Sequence, residues 1–197
     1  MVDFVAIDFE TANKDAASAI SLAAVTVENG KITKRAYSLI KPPTDFFEPE
    51  FIDIHGITPK MVEDKPTFDV LWPAIYERHL KGKLIIAHNA KFDMGVLKGM
   101  LEHYRIEVPS MSYACTVKIA RKVWPELVNH KLNTVGNFLG YEFNHHQALD
   151  DAQVCAQIAV AAARQEQVDS MRELLEKLNL QTETFVGPTV DAQTSFF

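Results

Sequence analysis

Asn29-Gly30 sits between two runs rich in strand-forming residues, and this pair restricts the fold more than any other feature of the chain. Both residues accept the left-handed backbone of a two-residue hairpin turn. Residues 20–27 and the alternating run 31–40 are therefore expected to pair antiparallel. Residues 4–9 form an earlier apolar run of the same kind, so three antiparallel strands should open the fold.

After Pro42-Pro43 the pattern changes. A loop leads through Ile54-His55-Gly56-Ile57-Thr58 to Thr67, which is expected to cap a helix over 68–80. Residues 83–87 read as a buried strand, followed by a helix over 91–104. Further helices are expected over 116–123, 132–139, 151–166 and 170–178. Strands first, then alternation, then helices point to an α/β domain over residues 1–180, a mixed sheet flanked by helices. From Gln181 the helical pattern stops, and 181–197 reads as an extended tail.

The 197 residues, 47% hydrophobic, suffice for one core. No apolar run is long enough to cross a bilayer, so no membrane partner is expected. The first residues run into a strand with no leader pattern. Cys115 and Cys155 lack metal-type spacing, which suits small core residues in a reducing, cytoplasmic setting. A net charge of −6 argues against holding long duplexes by phosphate neutralisation, although clustered carboxylates with bound cations would reverse the sign locally.

Asp8 and Glu10 interrupt the first apolar run. Residues two apart on a strand share a side, so both carboxylates point one way and Ile7 and Phe9 the other. Two like charges about 4 Å apart at an effective dielectric near 20 repel by about 4 kcal/mol, and a bound cation turns that repulsion into ligation. At an exposed strand end the same pair would simply be solvated.

Asp93 lies in the first turn of the helix that follows the buried strand, where α/β proteins place functional groups. Asn89 would cap that helix, and Asp93 would then favour its dipole. In the third cluster, His145 to Ala152, a loop histidine five residues before Asp151 can fold back beside it. It could take a proton from water near neutral pH, or the pair could be a solvated lead-in to an Asp-capped helix.

Together, Asp8-x-Glu10-Thr11, His88-Asn89-x-x-Phe92-Asp93 and His146-x-Ala148-x-x-Asp151-Ala152 resemble the DnaQ-like 3′-to-5′ exonucleases of the DEDDh branch, in the family's order. The likeness runs from Val2 to about Glu166 and includes the Ile54-to-Thr58 segment. It implies a ribonuclease-H-like mixed sheet and two divalent cations, magnesium or manganese. By this resemblance Asp8, Glu10, Asp93 and Asp151 are the ligands and His146 is the general base. Thr11, Glu50, His55, Asn89 and Phe92 are the implied contacts to a terminal nucleotide, although Phe92 by residue type alone would be core. Only the register counted from His146 matches, so His145 and Asp150 are expected to face solvent.

The last residues, Gln193-Thr194-Ser195-Phe196-Phe197, resemble the peptides with which bacterial replication proteins dock on the sliding clamp. Gln193, Phe196 and Phe197 would carry that contact, which favours DNA 3′ ends as substrate. RNA ends, or an inactive polymerase-accessory module with the same fold, are the alternatives. There is no His-Glu-x-x-His pattern, so a zinc hydrolase is not expected.

Overall fold

A computed structural model describes residues 1–188. Three antiparallel strands open it: β1 (Phe4–Thr11), β2 (Ala19–Glu28) and β3 (Lys31–Leu39). Asn29 and Gly30 both have positive φ, +54° and +69°, as the hairpin requires. Then follow α1 (Pro49–His55), α2 (Pro59–Val62), α3 (Phe68–Ile75), β4 (Ile85–Ala87), α4 (Lys91–His103) and β5 (Met111–Cys115). The described chain closes with α5 (Thr116–Val123), α6 (Leu132–Phe138), α7 (Ala148–Gln165), α8 (Met171–Lys177) and β6 (Glu183–Phe185).

The sheet has the order β3-β2-β1-β4-β5-β6. β4 and β5 run parallel to β1, and β6 returns antiparallel to β5. This is the mixed sheet that the element order predicts, of the ribonuclease-H-like kind that the family resemblance implies, with β1 inside it. Alternation along β1 divides the core. Phe4 and Ala6 pack with α7 and α8, while Val5, Ile7 and Phe9 pack with α3 and α4. Ala152, Ala156, Ala159 and Ala162 are fully buried, letting α7 lie close against the sheet. Cys115 and Cys155 are both buried and free.

Several boundaries differ from expectation. The helix expected over 68–80 is α-helical only to Ile75 and then widens into a π-turn over Tyr76–Leu80. Pro73 lies inside α3 and removes the bond that its N–H would give to the preceding turn. Thr67 sits at the N-cap but its side chain makes no capping bond. α1 forms where a loop was expected: Pro49 starts it with a preset φ, and Gly56 ends it in the left-handed region at φ +73°. α7 begins at Ala148, three residues before the expected start. β5 was not foreseen, and the segment read as tail from Gln181 first contributes β6 to the sheet. Gln193, Phe196 and Phe197, the clamp-like residues, lie outside the described residues. Among the described residues no helix is long and apolar enough to cross a membrane.

Candidate active site

The polar end of β1 lies at the carboxyl end of the parallel strands, where open α/β sheets bind ligands. Asp8 and Glu10 continue the row begun by Phe4 and Ala6, so both point to the α7 side, opposite Ala23 and Ser21 of β2. α7 places Asp151 in its opening turns, and carboxylate oxygens of Asp8, Glu10 and Asp151 lie within 4.8 Å of one another. Asp93, in the first turn of α4, is 1% exposed and accepts a 3.2 Å hydrogen bond from the backbone N–H of Phe9. The four acids named from sequence are thus brought together: three as a tight cluster, and Asp93 locked to β1 beside them.

Their electrostatics is unbalanced. Burial, followed by the charges of Asp93, Asp151 and Glu10, drives the Asp8 carboxyl well above its ordinary value. Burial and the neighbouring Asp151 and Asp93 push Glu10 to about 8. Asp93 is raised chiefly by burial, against the bond from Phe9. Asp151 rises to about 6 by burial, although its Oδ2 accepts the His146 N–H at 3.0 Å. Asp151 Oδ1 is buried with no hydrogen-bond partner among the described residues. An orphaned, desolvated carboxylate oxygen is costly, and facing two more carboxylates it is the arrangement a divalent cation relieves. The donor set fits a hard cation.

His146 has φ +69°, uncommon for a side chain of its size, and this turn folds the loop back onto Asp151. Burial and the adjacent His145 ring hold His146 below its ordinary pKa, leaving it neutral near pH 7. His145, expected to face solvent, instead turns inward. Its Nδ1 lies 3.3 Å from Asp151 Oδ2, and its ring stacks on His146 with centroids 3.8 Å apart. Asp150, also expected in solvent, is half-buried and accepts the Asn144 N–H at 3.2 Å, closing the loop before α7.

A groove of about 640 Å³ opens on Asp8, Glu10 and Asp151. Asn89 and Phe92 line it, but Thr11, Glu50 and His55 do not. Asn89 does not cap α4; Ala90 is the N-cap, and Asn89 takes φ +65°. Phe92, a core residue by type, is 45% exposed on the groove. Thr11 is buried where the β1–β2 register shifts, and Glu50 is exposed at the start of α1. His55 is 3% exposed: its Nδ1 accepts the Ile57 N–H at 3.0 Å, so Nε2–H donates to Thr11 O at 3.2 Å. Gln147 Nε2 donates to His55 O, tying the histidine loop to α1.

Sequence reasoning gave no role to Arg121, Lys131 or His88, which also line the groove. Arg121 and Lys131 make no ion pair among the described residues. His88 donates from Nε2 to His130 O and accepts at Nδ1 from Thr116 Oγ1, and burial lowers its pKa to about 4. Only the motif around His88 offered a signal; Arg121 and Lys131 look like ordinary basic surface residues in the sequence.

The exonuclease family RNase_T matches residues 5–159, which include all five positions from Asp8 to Asp151. The chain belongs to this exonuclease family. It is 34% identical over 161 residues to the DNA polymerase III subunit epsilon of Aquifex aeolicus, covering 80% of this chain and 78% of that protein. It is 37% identical over 154 residues to a PolC-type DNA polymerase III of Oceanobacillus iheyensis, covering 76% of this chain but 11% of that much longer protein. Its fold superposes with TM-score 0.72 on the structure of Exonuclease X in complex with 5′ overhanging duplex DNA, at 25% identity, spanning 89% of this chain and 98% of that one.

Proposed function

We propose that this chain is a divalent-cation-dependent 3′-to-5′ exonuclease that releases nucleoside monophosphates from DNA 3′ ends, single-stranded or mismatched. The observation that carries the proposal is the joint orientation of Asp8, Glu10 and Asp151 around a buried, unpartnered carboxylate oxygen at the floor of a groove. Asp8, Glu10 and Asp151 would hold the cation directly, and Asp93 would hold a second. Magnesium or manganese there supplies charge stabilisation to the phosphoryl oxygens in an in-line displacement.

His146 accepts the proton of the attacking water, whose oxygen bonds to phosphorus as the P–O3′ bond breaks. The 3′-oxygen of the shortened strand leaves and is protonated, while the terminal nucleotide departs as the monophosphate. His146 suits this because it is neutral and bonded through its backbone to a ligand carboxylate. Phe92 offers an exposed ring for the terminal base and Asn89 a polar edge. Glu50, exposed at the start of α1 and outside the groove lining, would meet the 3′-hydroxyl only at the rim of the site. Thr11 and His55 act by fixing α1 against β1, since both His55 ring nitrogens are engaged within the fold. Arg121 and Lys131 supply positive charge for the backbone phosphates of the entering strand.

DNA is favoured because the epsilon relative and the Exonuclease X complex are named for DNA polymerase and duplex DNA. The test is degradation of matched 5′-labelled DNA and RNA strands with manganese and with a chelator. A ladder shortening from the 3′ end, manganese-dependent and faster on DNA, is expected. Internal cuts, or hydrolysis undiminished by chelator, would overturn the proposal; faster loss of RNA would overturn the choice of DNA.

A further inference from the structure

We infer that His145, His146 and Asp151 form a second, nitrogen-rich cation site that takes zinc and, when filled, turns off the carboxylate site beside it. One donor atom from each of the three residues lies within 4.8 Å of the others, as in the separate group of Asp8, Glu10 and Asp151. Asp151 belongs to both. Two imidazole nitrogens and one carboxylate oxygen are a donor set suited to zinc, whereas magnesium prefers oxygen alone.

Two further observations point to a ligand. His145 Nδ1 is buried and makes no hydrogen bond among the described residues, although Asp151 Oδ2 is 3.3 Å away. A histidine with no task beyond solubility keeps its ring nitrogens in water or bonded, because an orphaned buried nitrogen is costly. His145 is also held in place. Its ring stacks between His146 and Phe143, with the Phe143 centroid 5.8 Å away. Phe143 in turn fills the space over Gly136, where a Cβ would come within 3.0 Å of its ring.

Zinc–nitrogen bonds of about 2.0 to 2.1 Å require the three donors to close in slightly around His145, which the ring stack holds. With its ring nitrogen bound to zinc, His146 has no lone pair for a water proton. Zinc on the shared Asp151 carboxylate also places a second positive charge within a few ångström of Asp8 and Glu10, opposing a cation there. Zinc and the catalytic cation therefore exclude one another. The inhibitory half of this inference rests on the exonuclease reading; the zinc site itself does not.

The test measures zinc affinity of the full chain by competition with a chromogenic chelator, in wild type, Asp8→Ala, His145→Ala and His145→Gln. Thermal unfolding checks that each variant is folded, and the glutamine variant serves if alanine disturbs the stack. Asp8→Ala is expected to keep wild-type zinc affinity within roughly two-fold. Both His145 variants should weaken it by about ten-fold or more and raise by a similar factor the zinc concentration that inhibits magnesium-supported hydrolysis. Equal zinc affinity in wild type and the His145 variants would overturn the site, as would its loss in Asp8→Ala. Binding through His145 without inhibition would overturn the mutual exclusion. Zinc binding through His145 in a wild-type chain that hydrolyses no strand would uphold the site while the exonuclease reading fell.

Discussion

The two ends of the sheet make an instructive pair. At the amino ends of the parallel strands lies the larger cleft, about 1040 Å³, bounded by residues such as Asp3, Lys83, Ser112, Arg172 and Gln181. Charges near it are matched: Lys83 reaches Glu28 at 3.3 Å and Arg172 approaches Glu176 at 4.0 Å. The groove at the carboxyl ends is smaller, yet three acids, Asp8, Glu10 and Asp151, line it and a fourth, Asp93, is buried behind them against Phe9, none paired with Lys or Arg among the described residues. Room alone does not mark function. Charge left unbalanced inside a fold does, because only an external partner repays its burial.

The sharpest way to break this contrast is to remove one acid. Asp8→Ala should lower hydrolysis by roughly a thousand-fold or more and abolish manganese binding at the cluster, read by calorimetry and by release of labelled nucleotide. Retained manganese affinity would count against direct ligation. Next in size, His146→Ala should reduce turnover by about 10² to 10⁴ while leaving manganese binding and the unfolding midpoint in place. Near-normal turnover would remove the general-base role.

A subtler contrast is in pH. Glu10 titrates at about 8 in the fold against an ordinary value of 4.5, and Asp151 at about 6 against 3.8. Between each ordinary value and its raised one, the folded chain holds a proton that the unfolded chain has lost. Stability of the metal-free protein should therefore fall as pH rises from about 4 to 8 and level off above, a slope that manganese flattens. Thermal melts across that range, with chelator and with manganese, would show it; a rise in stability with pH would contradict the charge imbalance. The smallest effect belongs to the other end of the sheet. Arg172→Ala, in the larger cleft, should leave hydrolysis within roughly two-fold.

How much of this was legible in the sequence depends on the range of the interaction. The Asn29-Gly30 hairpin, the shared side of Asp8 and Glu10, and the place of Asp151 in the opening turns of a helix follow from local rules. β5 escaped because Met111–Cys115 is short, and its strand character comes from burial between β4 and β6. α1 carried signals, Pro49 and Gly56, that a closer reading of helix ends would have used. The inward turn of His145 could not be foreseen, since it needs the left-handed backbone at His146 and the packing of Phe143 over Gly136.

The register of β1 carries one more consequence. Asp8 faces Ala23 and Glu10 faces Ser21, in a ladder whose shift comes only between Glu10 and Thr11. The site is thus encoded in parity: one residue inserted between Ile7 and Asp8 could preserve the pairing that precedes it and much of the apolar content, yet turn both acids toward α4. Such a chain could fold and still have no centre for α7 to complete, so the reading frame of a single strand, rather than its composition, separates an enzyme from an inert relative.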